Sequence, residues 1–414
     1  MDYIKRSLEK VVLKASGQYP VVMVCGQRQT GKSTMLRHIA EPDRVYVSFD
    51  KAETRRLAQN DPALFFETYG HKLLIDEFQR VPSILLEIKN IVDNATYSGE
   101  DSYGMFWLTG SQKFKMMKNV SESLAGRVAV LTMLPMSVRE IEGNEDGPFS
   151  PDIGILKAKA YKKKTQREVF EAIFRGGMPR VVAEPELDRD LYYSSYMDTY
   201  IERDVSELEQ VGKLDDFRNL VTYLAANTGH ELVYDNISKD MGISAPTIKA
   251  WVTILERSGL IYILRPYYSN ISKRLVKTPK CYFLDTGLAA YLTSWPTAQT
   301  LMNGNAAGAF FETYVVGEIL KSWYNSGKEP PLYYYRDVDR KEVDLLMVEA
   351  GKLYPMEIKK AKDPLDGGRN FSVLKKFELS GPDSLEVMPG LILCMADELF
   401  PINKKAYLCP VGMI

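Results

Sequence analysis

An excess of charge of either sign is missing from this sequence: 53 Lys and Arg face 54 Asp and Glu, a formal net charge of −1. That balance neither supports nor excludes a nucleic-acid partner and leaves the question to local patches. Cysteine is scarce as well. Cys25, Cys281, Cys394 and Cys409 are scattered, sit mostly in apolar runs and show no metal-ligand pairing, so they read as buried thiols in a reducing cytoplasm. Long apolar runs are lacking too. No stretch approaches the ~18 residues of a membrane span, and Met1-Asp2-Tyr3-Ile4-Lys5-Arg6 opens a polar, amphipathic segment, so a cytoplasmic protein without membrane contact is expected. With 414 residues, 45% hydrophobic and 26% charged, the chain has ordinary globular composition but too much length for one core. About two to four domains are expected.

What is present begins with Gly26-Gln27-Arg28-Gln29-Thr30-Gly31-Lys32-Ser33. It follows the apolar run Val21-Val22-Met23-Val24-Cys25, a buried strand by its pattern, and opens onto Thr34 to Ala40, whose apolar residues recur at helical spacing. Strand, Gly-x4-Gly-Lys-Ser, helix is the phosphate-binding loop. The glycines let successive N–H groups turn inward toward phosphate oxygens, and the helix N-terminus adds partial positive charge. Lys32 then reaches the outer phosphates and the Ser33 hydroxyl ligates Mg²⁺. The expected nucleotide-binding set is Gly26, Gln29, Thr30, Gly31, Lys32, Ser33 and Thr34, with ATP as ligand.

Two further strands are expected at Val45 to Asp50 and at Lys72 to Glu77, the latter ending in two carboxylates. A strand end of this kind lies at the carboxyl edge of a parallel sheet, beside the loop after the first strand. Asp76 is therefore the candidate Mg²⁺ partner, and Glu77 is placed to orient or deprotonate a water. Gly104 to Ser111 supplies a fourth strand whose Thr109 or Ser111 either contacts the γ-phosphate or its water, or simply makes a turn. Val128 to Leu131 makes a fifth. Arg127 before it is either an arginine finger or sensor or a cap on the preceding helix.

Downstream, Asn144 to Gly154 reads as a linker, and Lys157, Lys159, Lys162, Lys163 and Lys164 as a basic cluster on a helix. Arg167 to Phe174 and Asp188 to Leu208 read as connector helices, the second carrying Tyr192, Tyr193, Tyr196 and Tyr200 as packing residues. Phe217 to Thr228, Asp235 to Met241 and a helix capped by Ser244 form a helix-turn-helix burying Ile248, Trp251, Val252 and Leu255. Strands at 261–265 and 280–284 flank a wing with Lys273, Arg274 and Lys277. The wing suits phosphates, yet the exposed face of the third helix has one lysine near its start, so DNA contact and protein packing both stay open.

From Gly308 the expected order is a helix (309–322), three strands (332–335, 342–348, 353–359), a helix (372–379) and a strand (391–394). Period-two geometry puts Glu357 and Lys359 on one strand face, where Asp344 joins them if the strands pair. With Glu312, these residues have the chemistry of a metal-dependent phosphodiester site, with the carboxylates holding Mg²⁺ and Lys359 polarising a water. The bland alternative is an amphipathic strand with a surface ion pair.

The glycine loop, Leu74-Ile75-Asp76-Glu77-Phe78-Gln79-Arg80-Val81-Pro82, Leu108-Thr109-Gly110-Ser111 and Ser123-Leu124-Ala125-Gly126-Arg127 resemble the prokaryotic AAA-superfamily ATPases of the archaeal-ATPase type. The likeness continues through Leu134-Pro135-Met136-Ser137, Gly176-Gly177-Met178-Pro179, Tyr200-Ile201-Glu202-Arg203-Asp204-Val205 and Phe283-Leu284-Asp285-Thr286-Gly287-Leu288. It implies an α/β chain with a P-loop NTPase domain of AAA type, then a helical connector, a winged helix and an α/β domain of restriction-endonuclease-like fold. The expected boundaries are 1–145, 155–215, 216–290 and 300–414. Three functions follow as expectations: an ATPase whose nucleotide state is coupled to the later modules, an ATP-gated DNA nuclease, or a non-enzymatic switch that recruits a protein. Oligomerisation is compatible with all three.

Overall fold

In the computed structural model, residues 3–110, 120, 122–144, 147–200, 214–268, 277–378 and 384–414 are described. Ser111, Ser121, the stretch 201–205, Lys273 and Arg274 lie outside the described residues. After a first helix, α1 (Leu8–Ser16), the apolar run forms β1 (Val21–Cys25), every residue of it buried. Just before α1, Arg6 is drawn into buried hydrogen bonds with Glu140 and the Thr30 carbonyl.

The first sheet is all parallel, in the order β2-β3-β4-β1-β5, with β2 at Val45–Ser48, β3 at Leu73–Asp76, β4 at Phe106–Gly110 and β5 at Val128–Thr132. Helix α2 (Lys32–Ile39) follows β1 directly. Alternation along the buried strands feeds two cores. Val21, Met23, Ile75 and Leu108 face one, and Val22, Val24, Leu74 and Trp107 the other. Register sets the edge that matters: Val24 lies beside Thr109, and Thr109 beside Asp76.

Beyond the sheet, α3 (Ala52–Asn60), α4 (Pro62–Tyr69) and α5 (Ile84–Ser98) cover it, and α6 (Val138–Ile141) closes the domain with a capping box between Ser137 and Glu140. Helix α7 (Ile153–Ala158) stops before most of the lysine cluster. This corrects the expectation of one basic helix: among its residues only Leu156 is buried, and the lysines after it supply no apolar stripe to continue the turn. Lys164 instead pairs with Glu142 at 3.3 Å.

Helices α8 (Gln166–Arg175), α9 (Pro179–Ala183) and α10 (Arg189–Tyr200) lead to α11 (Leu214–Ala226), α12 (Tyr234–Met241) and α13 (Ala245–Ser258). Ser244 caps α13 by accepting from the Thr247 N–H, Pro246 sits in its first turn, and Ile248, Trp251, Val252 and Leu255 are its buried stripe. An antiparallel hairpin, β6 (Ile261–Leu264) with β7 (Lys280–Phe283), follows. Two of the glycine-containing stretches meet here. Asp285 caps α14 (Thr286–Leu292), accepts the Gly177 N–H at 2.7 Å and receives the Tyr193 hydroxyl at 2.8 Å. The Gly177 carbonyl in turn accepts the Met136 N–H at 2.7 Å, so the connector is tied to the first domain.

After α15 (Ala298–Asn303), α16 (Ala307–Tyr324) packs on a second, mixed sheet in the order β13-β14-β12-β10-β9-β8. Its strands are β8 (Leu332–Arg336), β9 (Glu342–Glu349), β10 (Lys352–Ile358), β12 (Gly390–Cys394), β13 (Phe400–Asn403) and β14 (Ala406–Pro410), with β11 (Glu386–Val387) beside β10. The segment expected as a helix from Ser372 is a 3₁₀ helix, Arg369–Phe377. One continuous apolar cluster runs from Leu134 through the connector, α11 to α13 and α16 to the inner face of this sheet. The later segments therefore pack around a shared core.

Candidate nucleotide site and a second charged cluster

The loop after β1 needs glycine for steric reasons. Gly26 has φ 148°, and a Cβ there would lie 2.1 Å from the Met133 carbonyl oxygen. Gly31, φ 88°, hands the chain to α2 in a left-handed conformation. Behind the loop, buried Arg6 donates to the Thr30 carbonyl and the Leu134 carbonyl, both at 2.8 Å, and its Nε meets Glu140 at 3.0 Å. Burial alone would raise the Glu140 carboxyl, but the Arg6 guanidinium and the backbone N–H groups of Ser137 and Ser7 hold it below the usual range. The loop is thus clamped by residues from both ends of the domain.

In front of the loop lies a cavity of about 310 Å³ whose lining includes Gln29, Gly31, Lys32, Ser33, Thr34 and Glu77, together with Thr199 of α10. The Ser33 hydroxyl donates to Asp76 Oδ1 at 2.8 Å, and the Tyr46 hydroxyl donates to Asp76 Oδ2 at 2.9 Å. Serine and carboxylate are therefore placed together as a hard-cation site requires. Lys32 Nζ donates to the carbonyls of Gly26 at 3.0 Å and Gln27 at 2.7 Å. Burial lowers its pKa to about 8, against the pull of Glu77 and Asp76.

Glu77 takes a left-handed backbone, φ 54°, at the end of β3, and its carboxylate receives the Gln79 amide. Burial raises its pKa, with Asp76 adding to the shift and Arg28 and Lys32 opposing it. That is the direction a general base needs. Thr109 Oγ1, fully buried beside Asp76, has no hydrogen-bond partner among the described residues, the kind of group a bound ligand or its water satisfies. A larger cavity of about 700 Å³, running along α10, shares Gln29 and Thr199 with the first.

Not every expected residue joins this site. Thr30 is buried in the loop and bonds the Gln27 carbonyl, while Ser111 lies outside the described residues. Arg127 precedes β5, and Val128 pairs with Val21, so the arginine sits at the amino edge of the sheet, a strand length from the phosphate-binding edge. There it binds Asp93 at 2.6 Å and the Ala125 carbonyl at 3.0 Å. Within this chain it is a structural ion pair at a helix-to-strand turn.

Residues 18–142 match the family model described as AAA domain. The first domain is an AAA domain. Residues 166–299 and 307–414 match two further models, each described as a domain of unknown function. An uncharacterised protein of Mycobacterium tuberculosis is 26% identical over 97% of this chain and 82% of its own length. One of Methanocaldococcus jannaschii is 24% identical over 76% of this chain and 70% of its own. A solved structure, the Walker-type ATPase of Pyrococcus abyssi, is 16% identical, covers 70% of this chain and 96% of its own, and superposes with TM-score 0.41.

Outside the AAA domain, the four residues expected to form a metal site belong to one charged cluster. Lys359 Nζ lies 3.4 Å from Asp344 and 3.5 Å from Glu357, and Asp344 also accepts the Ile358 N–H at 2.8 Å. Glu312 accepts from Lys280 at 3.1 Å and from the Tyr282 hydroxyl at 2.7 Å, and Lys280 reaches Glu342 at 2.6 Å. Among the described residues no group of three His, Cys, Asp or Glu side chains is disposed to hold a metal ion. Asp344, Glu357 and Lys359 thus meet on the paired strands as expected, while Glu312 is bonded to Lys280 and Tyr282. Burial alone would lower Lys280, but Glu312, Glu342 and Asp344 outweigh it and raise its pKa. The sequence reading missed Lys280, Arg6, Glu140 and Tyr46. Of these, only Glu140 had a local signal, the Ser-x-x-Glu cap.

Proposed function

We propose that this chain binds MgATP in the AAA domain, hydrolyses it to ADP and phosphate, and passes its nucleotide state to the helices and second sheet that follow. The observation that carries this reading is the convergence of Lys32, Ser33 and Glu77 on one cavity, with Ser33 bonded to Asp76 and, beside it, a buried Thr109 hydroxyl without a partner among the described residues. Ser33 and Asp76 are the residues to hold Mg²⁺, which supplies charge neutralisation of the phosphates. Lys32 and the loop N–H groups hold the triphosphate, and Glu77 takes the proton of the attacking water. Lys32→Ala is expected to abolish ATP binding, whereas Glu77→Gln retains binding and loses turnover. Undiminished phosphate release by both variants would reject the assignment.

The partner class follows from the same assay. Stimulation of turnover by DNA supports contact through α13 and the hairpin, and indifference favours a protein partner. Cleavage of DNA by the second sheet is the less favoured reading, because Glu312 is already engaged by Lys280 and the Tyr282 hydroxyl.

A further inference from the structure

The P-loop touches the end of the third helix of the helix-turn-helix. The amide of Gln27, the second loop residue, donates to the Tyr196 hydroxyl at 2.8 Å in a buried contact. Tyr196 stacks on Tyr200, centroids 6.5 Å apart and planes 3° apart, and the Tyr200 hydroxyl shares a 2.8 Å hydrogen bond with Ser258. Ser258 is the last residue of α13. The next residue, Gly259, caps that helix with φ 78°, and a Cβ on it would lie 3.5 Å from the Gln27 nitrogen. Two routes, one through the tyrosines and one by direct backbone approach, therefore run from one loop residue to one helix end.

Gln27 is also where a phosphate would be felt. Its carbonyl accepts the Lys32 ammonium at 2.7 Å and the Thr30 hydroxyl at 2.9 Å. For Lys32 to meet a phosphate it must exchange its bonds to the carbonyls of Gly26 and Gln27. A ligand moves an equilibrium only through contacts that differ between the two states. The Lys32 to Gln27 bond is such a contact, and the Gln27 side chain ties the same residue to α10.

We infer that Tyr196 is the positioning residue through which nucleotide binding at the P-loop is transmitted to the C-terminal end of α13 and the start of β6. The inference rests on the proposed nucleotide site and adds the route by which it acts. Coupling is reciprocal, so a partner that engages α13 changes ATP affinity by the same factor.

The test is hydrogen–deuterium exchange over residues 255–264 of the full chain, with and without saturating MgATP, in wild type, Tyr196→Phe and Ser258→Ala. Tyr196→Phe keeps the ring and removes the hydroxyl that accepts the Gln27 amide. Wild type is expected to change its exchange on adding ATP. Tyr196→Phe is expected to bind ATP and lose that change, and Ser258→Ala to reduce it. A purely structural role would shift exchange equally in both nucleotide states, and that outcome overturns the inference. So does a full ATP-dependent change in Tyr196→Phe, loss of ATP binding by that variant, or ATP binding by wild type with no change over 255–264. Failure of wild type to bind ATP at all would instead reject the nucleotide site itself, and the route with it.

Discussion

Lys32 and Lys280 are both more than nine-tenths buried, at 7% and 4% exposure, yet their surroundings push them in opposite directions. Lys32 is enclosed by backbone carbonyls of the P-loop, and burial lowers its pKa to about 8. Lys280 is enclosed by Glu312 and Glu342, with Asp344 near, and its pKa is raised. The first lysine is short of negative charge, which a triphosphate supplies. The second already has its counterions from within the fold. A site that recruits an anion and a cluster that neutralises itself are both built from buried charge, and what separates them is whether the partner belongs to the chain.

The comparison breaks most visibly at Lys280. Lys280→Met leaves Glu312 without its cation, a loss of about 3–5 kcal/mol for a buried pair. Urea denaturation checks it, with Lys359→Met as control. Lys359 is 43% exposed, and its replacement is expected to cost less than about 1 kcal/mol. Equal losses would mean that Lys280 is no more essential than a surface ion pair. Next in size is the contrast between the two aspartates. Asp76→Asn removes the charge that holds Ser33 and is expected to lower ATP turnover by about 10–100-fold, while Asp344→Asn leaves turnover unchanged. A comparable fall in Asp344→Asn would show that the second sheet takes part in hydrolysis.

What could be read from the chain follows the same division. The P-loop is eight consecutive residues in one strand-loop-helix unit, so its pattern carries its geometry. The stripe of α13 and its Ser244 cap are also local, and the buried residues coincide with the periodic ones. The charged cluster is assembled from β7, α16, β9 and β10, and nothing in the sequence near Lys280 announces that it will meet Glu312. Glu-x-Lys at 357 to 359 is visible in the sequence, and Lys359 does lie between Glu357 and Asp344 of the paired strand. Strands β13 and β14 went unread for a different reason. β13 is four residues long, contains Pro401 and is largely exposed, so neither alternation nor propensity marks it. Arg6 and Glu140 escaped because their bond links the two ends of the AAA domain across 134 positions.

The smallest effect, and the one that tests the Lys32 half of the comparison directly, is in pH. An ordinary lysine titrates near 10.5, and in the folded chain Lys32 is lowered to about 8. Between those values the unfolded chain holds a proton that the folded chain has released, so stability rises with pH across the window and the cost of burying the charge is felt in full below about 8. ATP binding reverses the shift, because phosphate oxygens replace the loop carbonyls around the ammonium. Binding above pH 8 must then take up a proton, and apparent affinity should fall by at most about tenfold per pH unit. Calorimetry at pH 9 in two buffers of different ionisation enthalpy measures the uptake. Close to one proton per ATP is expected. Uptake near zero would mean that Lys32 stays charged in the free protein, and that the two buried lysines differ less than their surroundings imply.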